Sequence, residues 1–62
     1  MTEKVLGVHT VQIKEVLDSE GDILHYVVTS ESFNGTPFRV LSESEVTLER
    51  VEQHIELSQQ FN

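Results

Sequence analysis

From Val8 to about Leu41 the chain is rich in Val, Ile, Thr and aromatic residues and broken by turn residues, and from about Ser42 to Gln60 the apolar positions recur at helical spacing. The first pattern predicts strands and the second a helix. Val11-Gln12-Ile13-Lys14-Glu15-Val16-Leu17 and Ile23-Leu24-His25-Tyr26-Val27-Val28-Thr29 flank Asp18-Ser19-Glu20-Gly21-Asp22, which reads as a β-hairpin with Gly21 at the left-handed position of its turn. With Leu17 opposite Ile23, simple alternation sets Glu15 opposite His25 and Ile13 opposite Val27. One face then carries Val11, Ile13, Leu17, Ile23 and Val27. The other carries Gln12, Lys14, Val16, Leu24, Tyr26 and Val28, more apolar than a solvated sheet face requires.

Ser32-Phe33-Asn34-Gly35-Thr36-Pro37 predicts a turn, because Asn-Gly tolerates positive φ. Phe38-Arg39-Val40-Leu41 follows as a short third strand, and Pro37 at its start marks it as an edge strand, since proline cannot donate to the ladder. Ser42 and Glu45 fit a capping box with Leu41 and Val46 as its staple. A later helix start, with Thr47 as cap and Val46 stapling to Val51, suits the stripe Leu48, Val51 and Ile55 better. At ~100° per residue, Val46 and Leu57 fall nearly opposite that stripe. The helix is therefore expected at about residues 48–59, with 43–47 open and Glu45-Val46-Thr47 readable as a fourth strand or a turn.

Two architectures fit. The preferred one is α+β: a small antiparallel β-meander of three or four strands followed by a C-terminal α-helix. The other is a partly open, SH3-like small barrel with the helix as an appendage, which the order of hairpin, turn and short strand over residues 8–48 resembles. With 62 residues and no repeat or linker, the chain reads as one domain, residues 1–7 being expected as a frayed arm unless Val5 and Leu6 extend the first strand.

Composition narrows the function. Eleven Asp and Glu against four Lys and Arg give a formal charge of −7. That charge disfavours direct contact with nucleic acid and anionic membranes and favours a partner with a basic surface. Lys4, Lys14, Arg39 and Arg50 are dispersed, so no basic nucleic-acid patch is visible. There is no cysteine, hence no disulfide framework or thiolate metal site to supplement a core of marginal size. No leader or membrane-spanning stretch is read, and the cytoplasm is the expected compartment.

Candidate chemistry is sparse. His9, His25 and His54 lie in separate elements without metal-ligand spacing, and no cofactor or metal is expected. Glu15 facing His25 would be half of an acid–base device, and equally an ordinary cross-strand pair. Asp18, Glu20 and Asp22 alternate as in calcium loops, but the twelfth position from Asp18 is Thr29 rather than a bidentate Glu. Gly7, Gly21 and Gly35 are isolated, and no serine sits in a nucleophile elbow. An enzyme is not expected.

What is expected is a small acidic protein-interaction module or accessory factor. Its first candidate surface is the second sheet face, Val16, Leu24, Tyr26 and Val28, which a homodimer would bury. Its second is the helix, where Glu45, Glu49, Glu52 and Glu56 recur at helical spacing. Through Glu49, Glu52 and Glu56 the alternative function arises: an acidic inhibitor, of the type encoded by phages and mobile elements, that imitates nucleic acid and blocks a basic site on a host protein.

Overall fold

The computed structural model describes residues 2–60. Four antiparallel strands, β1 (Thr2–Leu6), β2 (His9–Leu17), β3 (Ile23–Thr29) and β4 (Phe38–Val40), form one open sheet in the order β1-β2-β3-β4, and a helix, α1 (Leu48–Gln60), closes the chain. This is the expected meander with a C-terminal helix. The sheet does not close on itself as the barrel alternative requires, because β1 and β4 are unpaired edges.

The fourth strand comes from the N-terminal segment. Residues 2–6 were expected as a frayed arm; instead they pair with β2 from Thr2↔Ile13 to Leu6↔His9. Gly7 and Val8 make the two-residue connection, and Gly7 takes φ 63°, the positive value that hairpin turns of this length need at their first position. A methyl added at Gly7 would also lie 3.2 Å from a Leu48 side-chain carbon. Gly7→Ala is therefore expected to cost about 1–2 kcal/mol, most of it backbone strain, read as a fall in the urea midpoint without a change in slope.

Lys4 stands on the helix side of β1 and its Nζ donates to the Val46 carbonyl over 3.0 Å, tying the edge strand to the approach of α1. That approach uses both predicted helix starts in succession. Ser42 and Glu45 form the capping box around a single 3₁₀ turn, Glu43–Glu45, in which Glu45 Oε2 accepts from the Leu41 and Ser42 backbone N–H groups. Thr47 then caps α1, its Oγ1 accepting from Arg50 N at 3.2 Å. Residues 45–47 thus form a turn and a cap, and the strand reading there is set aside. Val46 is fully buried although it lies off the helical stripe, because it precedes the helix.

One face of the sheet carries the core. Val11, Ile13, Val28, Phe38 and Val40 meet Phe33, Val46 and Val51, with Leu6, Tyr26 and Ile55 packed around them. Phe33 is brought in by a 3₁₀ turn, Glu31–Phe33, and a left-handed pair behind it: Asn34 and Gly35 have φ 53° and 76°, and Thr36 N donates back to Phe33 O at 2.9 Å. His54 completes an aromatic cluster, with ring centroids 4.8 Å from Phe33 and 4.7 Å from Phe38, and donates from Nε2 to the Thr36 carbonyl. The Arg50 guanidinium lies over the Phe38 ring, 5.2 Å from its centroid.

The hairpin register differs from simple alternation. Leu17 does pair with Ile23, but Val16 pairs with His25, Glu15 with Tyr26 and Ile13 with Val28. The irregularity lies between Val16 and Leu17, where β3 supplies one residue more, Leu24, than β2. A bulge of this kind slips every later partner by one, and in a strand one residue is one face. Tyr26 and Val28 therefore join Val11 and Ile13 on the core side, and Val27 moves to the outer side. The expected second apolar face of Val16, Leu24, Tyr26 and Val28 does not exist as a unit.

Candidate functional site

The unequal lengths of the strands create the most prominent surface feature. β1 reaches only His9–Ile13 of β2, and β4 reaches only Tyr26–Val28 of β3. Beyond those limits Val16 and Leu17 pair only with His25 and Ile23, so the end of the hairpin is a short two-stranded arm with both edges open. An isolated two-stranded ribbon is at best marginally stable in water.

The turn at its tip is held by Asp18. Its Oδ1 accepts from the backbone N–H of Glu20 at 2.8 Å and of Asp22 at 2.9 Å, while Asp18 N donates to Asp22 O and Gly21 N to Asp18 O. Gly21 takes φ 89°. The alternating acids that resemble a calcium loop are thus organised around backbone amides, with Asp18 serving the turn rather than pointing its carboxylate at a cation.

The arm displays large apolar side chains that nothing covers. Leu17, Ile23 and Leu24 retain 51%, 47% and 54% of their accessible surface, and Val16 is half-buried beside them. Asp18, Glu20 and Asp22 rim this patch at its tip. Of the four sheet residues singled out from sequence, Val16 and Leu24 lie on the arm, whereas Val28 is fully buried and Tyr26 packs against the core. Leu17 and Ile23 were assigned to the buried face. Their exposure follows from the neighbouring strands stopping short, which the alternation within the hairpin does not encode.

The second candidate surface is on α1. Glu49, Glu52 and Glu56 are exposed and, with Leu48 and Gln53, line an open depression along the solvent side of the helix. Glu45, expected on the same stripe, lies in the preceding turn and spends its carboxylate on the capping box. Glu43 and Glu49 flank the start of the helix, where negative charge is favourable.

The remaining constellations do not converge. Glu15 and His25 stand on opposite faces of β2–β3, because His25 pairs with Val16, and the acid–base pair expected between them is not formed. His9 faces Ser32, with Nδ1 3.5 Å from its Oγ, and His54 is in the aromatic cluster. Among the described residues no group of three or more metal-capable side chains comes together, and no helix is long and apolar enough to cross a membrane. No family model matches the chain, and neither a curated protein nor a solved structure matches it.

Proposed function

We propose that the chain is a small non-enzymatic protein-interaction module whose hairpin arm enters an apolar cleft, bordered by basic residues, on another protein. The observation that supports this most directly is the half-exposure of Leu17, Ile23 and Leu24 on a ribbon without flanking strands. Exposed apolar patches of this sort cost solubility and mark contact sites. The acidic rim of Asp18, Glu20 and Asp22 and the net charge of −7 favour a basic border on the partner. The absence of cysteine from the sequence fits a cytoplasmic setting. A homodimer through Tyr26 and Val28 is not part of this reading, since those side chains belong to the core.

A photo-crosslinker placed at Leu24 should capture a discrete partner, and the double variant Ile23→Thr, Leu24→Ser should lose that partner while keeping the native circular dichroism and thermal midpoint. Retention of the partner at undiminished affinity would exclude the arm as the site.

One observation favours a second reading, the nucleic-acid mimic. Glu49, Glu52 and Glu56 are all exposed on α1 with no Lys or Arg of the described residues bound to them. In that case binding weakens steeply with salt, competes with duplex DNA for the target, and disappears in the Glu49→Lys, Glu52→Lys, Glu56→Lys variant.

A further inference from the structure

The outer face of the sheet, away from the helix, is uncovered, and charge is sorted across the molecule in a way the composition conceals. The four cationic residues divide into two pairs. Lys4 and Arg50 work on the core side, at the Val46 carbonyl and over the Phe38 ring. Lys14 and Arg39 project from the outer face, both exposed, on either side of Val27, because the register sets Lys14↔Val27↔Arg39 in one row across β2, β3 and β4. His25, two residues along β3 from Val27, projects from the same face beside Val16. Glu3 is an acid on that face, two strands from the row's centre, where Gln12 Nε2 donates to it. Lys14 and Arg39 have no acidic partner among the described residues. The opposite side of the molecule carries the Glu49, Glu52 and Glu56 stripe.

We propose that the outer sheet face, through Lys14, His25 and Arg39, receives the acidic helix of a second copy of this chain, so that copies join head to tail. The spacing matches. Two strand separations put Lys14 and Arg39 ~9.6 Å apart at the backbone. Seven helical residues put Glu49 and Glu56 ~10.5 Å apart and within ~20° of the same direction. A helix laid across the strands sets one carboxylate over each cation. Glu52 lies between the other two along the helix and displaced to one side, as His25 lies between Lys14 and Arg39 and displaced along β3. The centre of the contact is apolar on the sheet side, where Val27 and Val16 are half-buried, and Leu48 borders the carboxylates on the helix side.

The donor and acceptor surfaces are different and lie on opposite layers, so the contact is heterologous: it builds rings or open chains rather than a two-fold dimer. A net −7 on each copy opposes approach over long range, but a Debye length of ~8 Å at physiological salt screens that repulsion more than the contact pairs. Val16 and His25 at the base of the hairpin arm border this surface, but Lys14 and Arg39 lie outside the arm and Leu17, Ile23 and Leu24 lie outside the charged row, so the two proposals are tested by different variants.

Sedimentation equilibrium of the full chain at physiological salt, up to about millimolar protein, tests it through a charge exchange. The wild type should show an average mass that rises with concentration past the dimer. Lys14→Glu with Arg39→Glu, and separately Glu49→Lys with Glu56→Lys, should each lower the association constant by ~10–100-fold. An equimolar mixture of the two variants should restore it, because the reversed helix of one fits the reversed sheet of the other. Ile23→Thr, Leu24→Ser should leave the mass unchanged, and native circular dichroism qualifies every variant. A monomeric wild type overturns the proposal, as does a dimer indifferent to both reversals or a mixture that does not recover. A wild type that stays monomeric yet binds poly-glutamate or duplex DNA through Lys14 and Arg39 would also overturn it and assign the face to a foreign anion.

Discussion

Replacing Val28 with Ser is expected to remove most of the chain's stability at 25 °C, while Leu24→Ser leaves it within about 0.5 kcal/mol of the parent. The two residues are four apart on one strand, and alternation alone gives them the same face. Val28 has 0% of its surface exposed and sits between Ile13 and Phe38 in the ladder, whereas Leu24 retains 54%. Removing two buried methyl groups and burying a hydroxyl in their place costs about 3 kcal/mol. A domain of this size, without disulfide or metal, has only about 3–5 kcal/mol in all. Urea titration of both variants reads the difference directly. If the pair behaved alike, the bulge at Leu24 would be wrong, and with it the separation of the arm from the core.

The larger loss is expected at Phe33. Its ring is 1% exposed, lies 5.5 Å from Phe38 and 4.8 Å from His54, and comes from a loop rather than from the sheet or helix it packs against. Phe33→Ala removes the filler between those two layers, at about 3–5 kcal/mol, which equals or exceeds the whole stability of such a domain. Far-ultraviolet circular dichroism should show loss of the cooperative transition. Phe33→Leu should keep the transition at a lower midpoint, because it restores most of the volume without the ring contacts. A native-like melt for Phe33→Ala would mean that α1 docks through Val46 and Val51 alone.

What could be read from the sequence follows the range of the interactions involved. The turn at Gly21, the positive-φ pair Asn34-Gly35, the edge position of β4 after Pro37, the capping box at Ser42 and the helix from Leu48 are all decided within a few residues, and each is found where the chain predicts it. The hairpin itself is likewise local. Its register is not, because a single extra residue at Leu24 reverses the faces of Tyr26, Val27 and Val28 without altering the composition of either strand. β1 is legible only at Val5 and Leu6, because an edge strand with only Leu6 half-buried carries almost no periodic signal. The candidate surfaces divide in the same way. Glu49, Glu52 and Glu56 follow from helical spacing alone. The arm depends on where two other strands end, and so Leu17 and Ile23 look like core residues until their missing neighbours are seen.

The order in which the layers occur along the chain has a consequence for biosynthesis. The sheet is complete by Val40, but Val46 and Val51, which cover Val11 and Val28, are translated afterwards. A growing polypeptide that has released residues 2–40 from the ribosome holds one greasy face open to water and gains its cover only when α1 emerges. Cooperative folding therefore waits for release of α1.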